Sequence, residues 1–135
     1  MERFLKDDEC NPKQLSPLTL AFIGDTVYDL FVREMLICQA NRPANKLHRE
    51  AVKRVRAKAQ AQAVELILPL LTDEEKDILK RGRNAHTNHL PKNASESDYH
   101  YATGFEALLG YIYLKGDIER LRTIFSYIRE NTVIE

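Results

Sequence analysis

The chain has 135 residues, 44% hydrophobic and 30% charged, with 20 Lys and Arg balancing 20 Asp and Glu. That mix excludes a disordered chain and suffices for one domain, residues 1–135, with its core between about 15 and 130. No apolar run approaches the roughly 18 residues that span a bilayer, and the opening MERFLKDDEC holds no apolar signal core, so a cytoplasmic protein with no membrane partner is expected. Cys10 and Cys38 lack metal-site spacing and read as reduced thiols.

Glycine and proline number five each and β-branched runs are scarce, so the chain reads as all-α. Ser16 caps a first helix, with Pro17 in its first turn, running to about Ile37. Asn45 caps a second, which continues to about Leu68 before Pro69. TDEE, Thr72 to Glu75, has capping-box form and opens a short third helix that Arg81-Gly82 ends. RNAHTNHLPKNASES then reads as a loop. Ser95 or Ser97 caps a fourth helix ending near Lys115-Gly116. A fifth spans about Asp117 to Asn131, with Leu121, Ile124, Phe125 and Ile128 facing the core.

Net charge is zero but unevenly spread. Residues 1–41 carry 4 Lys/Arg against 7 Asp/Glu, residues 42–92 carry 12 against 6, and residues 93–135 carry 4 against 7. A cationic middle suits a polyanion, while acidic ends offer carboxylates to a cation. On the second helix Lys46, Arg49, Lys53, Arg54, Arg56 and Lys58 cover one broad arc. Lys80, Arg81 and Arg83 cluster at a helix end, and Lys92 follows in the loop. No aromatic platform is interleaved with these cations, which favours recognition of duplex shape over stacking on single strands. His86 and His89 read as surface or RNA-facing rather than metal-binding.

The first helix, LTLAFIGDTVYDLFV, poses the sharper question: it carries Gly24 and Asp25 at its centre. A mid-helix glycine costs about 1 kcal/mol relative to alanine, and an acid on an apolar helix needs a partner. On a helical wheel Leu20, Ile23, Val27, Leu30 and Phe31 form the expected core stripe. Asp25 points away from it, among Leu18, Ala21, Phe22, Tyr28 and Val32, also largely apolar. A helix apolar all round is buried all round, so the second face is expected to meet another subunit, with Gly24 as the point of close approach. The fourth helix repeats this anatomy. Tyr101, Phe105, Leu108 and Ile112 form its stripe, and Glu106 lies off it among the small residues Ala102, Thr103 and Gly110. Two carboxylates on facing helices can hold Mg²⁺, which prefers oxygen ligands and keeps several waters.

LAFIGDTVYDL resembles the signature block of the ribonuclease III endonuclease domain, and TGFEALLGYIYL resembles that family's second block. Order, spacing and helical context agree from roughly Leu15 to Ile128. LKRGRNA and the downstream PKN are similar to the short Mini-III branch, which has no separate double-stranded-RNA-binding domain. The resemblance implies the helical ribonuclease III endonuclease fold as a homodimer. It implies cleavage of double-stranded RNA by phosphodiester hydrolysis, with Mg²⁺ as cofactor and Mn²⁺ able to substitute. It assigns Asp25 and Glu106 as catalytic metal ligands, and Phe22, beside Gly24, to the dimer interface. Lys80, Arg81, Arg83 and Lys92, with Lys46, Arg49 and Lys53, become the RNA contacts. The implied substrate is the precursor of 23S large-subunit ribosomal RNA, matured at both ends, with the ribosomal proteins on it as further partners. Two of the family's acids are absent: Ala21 and Thr103 stand in their places, and Asp29 matches no family ligand. Two rivals therefore stay open. One is a non-catalytic RNA-binding or ribosome-assembly protein that retains the fold. The other is a helical DNA-binding regulator, which the basic arc allows but no helix-turn-helix supports.

Overall fold

The computed structural model describes residues 3–85 and 95–132, and every regular element among them is helical. The helices are α1 (Pro17–Gln39), α2 (Ala44–Val55), α3 (Ala57–Ile67), α4 (Asp73–Arg83), α5 (Glu96–Leu114) and α6 (Ile118–Asn131), with short 3-10 turns at Pro12–Gln14 and Leu68–Leu70. None of these helices is long and apolar enough to cross a membrane.

Several boundaries follow from local chemistry. The Ser16 hydroxyl accepts from the Thr19 N–H at 3.3 Å, and Pro17 occupies the first turn, where its missing N–H is no loss. Thr72 and Glu75 close a reciprocal capping box at 3.1 and 2.9 Å. Ser95, not Ser97, caps α5 by accepting from Asp98 N–H at 3.0 Å. Gly116 adopts φ +80°, and the N–H groups of Gly116 and Asp117 return to Tyr113 and Ile112, a Schellman closure that turns the chain into α6.

Three boundaries differ from the sequence reading. Pro43, not Asn45, starts α2: its carbonyl accepts from Lys46 and Leu47 N–H at 3.0 Å each, and its fixed φ of −57° sets the entry. The long second helix is two helices, broken at Arg56, which is extended at φ −63°, ψ 156°. Neither proline nor glycine causes the break. It lets α2 lay Leu47 and Ala51 against α1 while α3 turns Gln60, Ala63, Val64 and Ile67 into the centre. Gly82 does not end α4; it lies buried inside it, against α5, and the helix runs on to Arg83.

Helix α5 is the axis of the molecule, buried over residues 102–105 and 107–112, with α1 and α4 on its flanks and α3 and α6 completing the sheath. Glycines set the spacing. A Cβ on Gly24 would lie 2.6 Å from the carbonyl carbon of Glu106, and one on Gly110 would lie 2.9 Å from that of Leu20. On the other flank, a Cβ on Gly82 would lie 2.8 Å from the Cα of Gly104. Tyr28 packs edge-on against Phe105 at 4.9 Å, and Phe31 stacks on Phe125 at 4.3 Å.

This crossing corrects the wheel. The buried face of α1 is Leu20, Ala21, Gly24, Tyr28, Val32 and Leu36, turned by roughly a third of a turn from the expected stripe. Gly24 therefore meets α5 of its own chain, so the close approach expected of it is made within the subunit. What α1 presents outward is Leu18, Phe22, Leu30 and Ile37, with Phe22 83% exposed.

Candidate active site

The close approach that Gly24 permits places the neighbouring Asp25 opposite Glu106. Asp25 is exposed at the edge of α1, Glu106 is half-buried on α5, and their carboxyl groups lie within hydrogen-bonding reach. Burial, and then the facing Asp25 charge, push the Glu106 carboxyl up from 4.5 to about 8, with the Gln60 amide pulling the other way. Two carboxylates held together in a partly dry site are what a divalent cation neutralises, and both are hard oxygen donors. The residues present thus fit a cation bound by Asp25 and Glu106. No cluster of three or more Asp, Glu, His or Cys suited to a metal occurs among the described residues.

The neighbouring positions do not extend the pair. Ala21 is buried, one turn before Asp25 on α1, and the Thr103 hydroxyl donates to the Tyr99 carbonyl at 3.0 Å within its own helix. Asp29 is engaged with Arg33 at 3.0 Å on the outer face of α1. Beneath Glu106 lies a residue that the sequence reading passed over. The Gln60 side chain, 3% exposed, donates its amide to Glu106 Oε2 at 3.2 Å. Its signal was present: Gln60 shares a helical stripe with Ala63, Val64 and Ile67, where an apolar residue belongs.

The cations fall into two groups. Arg42, Lys46, Arg49 and Lys53 line one open cleft of about 450 Å³ with Glu50. Glu50 is held by Lys53 at 3.4 Å and Arg54 at 3.0 Å, while Lys46 and Arg49 are exposed and make no ion pair among the described residues. Lys80 and Arg81 are exposed at the end of α4. Arg83 is half-buried, its guanidinium 5.5 Å above the Tyr101 ring. Lys92, His86 and His89 lie outside the described residues.

An all-helical protein with a facing carboxylate pair and cationic helix surfaces has the make-up of a helical nuclease. The family model for the ribonuclease III domain matches residues 18–117. The chain is 54% identical over 128 residues to a Mini-ribonuclease 3 of Thermoanaerobacter sp. (strain X514), covering 92% of this chain and 90% of that protein. It is 47% identical over 114 residues to a Mini-ribonuclease 3 of Symbiobacterium thermophilum, covering 84% and 88%. A crystal structure of a Fusobacterium nucleatum protein, 28% identical, superposes with a TM-score of 0.82 over 93% of this chain and 100% of the other. The chain belongs to the ribonuclease III family of endoribonucleases, and its relatives place it in the Mini-ribonuclease 3 branch.

Proposed function

We propose that this endoribonuclease is Mg²⁺-dependent, cuts double-stranded RNA, and works as a cytoplasmic homodimer on the ends of the 23S ribosomal RNA precursor. The observation that carries the reading is the Asp25–Glu106 pair at the α1–α5 crossing of a ribonuclease III family member. Mg²⁺ held there would supply an activated water and neutralise charge on the scissile phosphate, with Mn²⁺ as a substitute. Asp25 is the exposed ligand, facing the substrate side. Glu106 is the sheltered one; burial and the Asp25 charge hold its carboxyl up at about 8, so it would have to lose that proton to hold a cation, and binding would strengthen as pH rises. The pair also argues against the non-catalytic rival, which has no use for two carboxylates facing one another. Incubation with long double-stranded RNA should give cleavage with 5′-phosphate ends in Mg²⁺ and none after chelation. Intact RNA in both conditions would favour the non-catalytic rival.

The homodimer is supported by the exposed apolar face of α1, where Phe22 stands one turn from Asp25. A second copy covering Phe22 would shelter both acidic pairs. Phe22→Ala should loosen the dimer by about 3–5 kcal/mol, the usual cost of truncating a buried aromatic, while leaving the subunit's melting profile as a monomer intact. Sedimentation across a concentration series reads this directly; an unchanged dimer, or a parent chain monomeric throughout, rules the interface out.

For RNA, Lys46 and Arg49 share one open cleft and are exposed without an ion pair among the described residues, as are Lys80 and Arg81, with Lys53, Arg83 and Lys92 as the remaining proposed contacts. A phosphate backbone displaces counterions when such groups bind it. Lys46→Ala with Arg49→Ala should therefore weaken binding to duplexes of many sequences and flatten the salt slope by about one unit per lost contact. The measurement is made in Ca²⁺ on an Asp25→Asn background, so that nothing is cut. Affinity equal to the parent's at every salt concentration would move the grip to Lys80 and Arg81.

A further inference from the structure

Gln60 sits where α3 begins after the break at Arg56, almost wholly buried. Its Nε2 donates to two acceptors: the Val55 carbonyl at 2.7 Å, at the end of α2, and Glu106 Oε2 at 3.2 Å, on α5. Its own oxygen, Oε1, is buried with no partner among the described residues. That combination is poor economy for stability alone. A buried acceptor left unpaired is penalised, which offsets part of what the amide's two donated bonds contribute. The rest of the stripe, Ala63, Val64 and Ile67, shows what packing prefers here.

The gain must lie in what Nε2 holds. Bound from beneath through Oε2, Glu106 is fixed in one orientation, with its other oxygen left for a ligand shared with Asp25. A neutral amide suits this task. It steadies a carboxylate without cancelling its charge, whereas Lys or Arg in the same place would compete with a cation. We propose that Gln60 is a positioning residue for Glu106, setting the carboxylate for cation binding and tying it, through Val55, to the α2–α3 break. The inference rests on the reading of Asp25 and Glu106 as cation ligands. It extends the site to a helix that contributes no acid to it. It also links the site to α2, which carries Lys46, Arg49 and Lys53.

Gln60→Leu removes the amide and keeps most of the volume; Gln60→Met keeps the unbranched shape as well. Both are compared with the parent, full-length, by thermal melting without divalent cation, by calorimetric titration with Mn²⁺ in the absence of RNA, and by steady-state cleavage. The expected result is a folded variant with a cooperative melt, its melting temperature lowered by no more than the loss of one or two hydrogen bonds explains, Mn²⁺ affinity lower by about 10–100-fold, and kcat lowered comparably with KM little changed. Excess Mg²⁺ should recover part of the rate. Mn²⁺ affinity and kcat within about twofold of the parent in a folded variant would overturn the proposal. So would failure of both variants to fold, because the amide would then serve the fold rather than Glu106. If the parent binds no Mn²⁺, or Asp25→Asn binds it as well as the parent does, the cation reading itself fails and takes this inference with it.

Discussion

Asp25→Asn and Glu106→Gln should each lower the cleavage rate by about a thousandfold or more while the protein stays folded and binds duplex RNA. Each change keeps size and shape and removes one of the two carboxylates that face each other, and charge stabilisation by a bound metal is worth several kcal/mol, each 1.36 kcal/mol being about tenfold. The two variants should differ in one respect. In the cation-free parent the Glu106 carboxyl titrates at about 8 rather than at its ordinary 4.5, because burial and the Asp25 charge oppose its ionisation. Between those values the folded chain keeps a proton that the unfolded chain releases, so stability falls as pH rises through that window. Glu106→Gln removes the titrating group, so its stability in chelator should lose most of this decline and exceed the parent's near pH 9. Cleavage assays in Mg²⁺ and thermal melts at pH 6 and 9 in chelator check both halves. Parent-like cleavage by both variants would place the chemistry elsewhere in the molecule.

The largest effect on stability should come from a single methyl group. Gly24→Ala and Gly110→Ala each add a Cβ where another helix's backbone already lies, within 2.6 Å of the Glu106 carbonyl carbon and 2.9 Å of the Leu20 carbonyl carbon. Backbone cannot swing aside as a side chain can, so α1 and α5 must move apart along the whole crossing. Overpacking usually costs 1–3 kcal/mol; here about 3 kcal/mol or more is expected, a fall in melting temperature on the order of 10 °C. The same separation pulls Asp25 from Glu106, so any folded fraction should also lose cation affinity. Melting temperatures within a few degrees of the parent's would mean that the helices do not cross at these glycines.

These glycines also mark where the sequence could be read and where it could not. The helices, most of their caps and the two acids are local signals: Ser16-Pro17, Thr72 with Glu75, and Gly116 each carry their own reason for a boundary. The inward face of α1 is different. Apolar residues surround the helix, so the wheel has no strong direction: Leu20, Val27 and Phe31 of the expected stripe do pack on the core, while Leu30 is left outside. The smallest residues carried the information instead, since Gly24 and Gly110 together let α1 and α5 approach so closely. The break at Arg56 had no local sign at all: the alanine-rich stretch around it favours a continuous helix, and two packing partners in different directions override that preference.

By itself the sequence determined an all-helical chain with Asp25 and Glu106 on two apolar helices and a cationic stretch between them, because capping, helical periodicity and charge are written in neighbouring residues. Only the tertiary structure decided that Gly24 packs within its own chain, that Phe22 is left outside, and that Gln60 holds Glu106. Those outcomes depend on which backbones can approach each other, and that is settled between residues as far apart in the chain as Gly24 and Glu106.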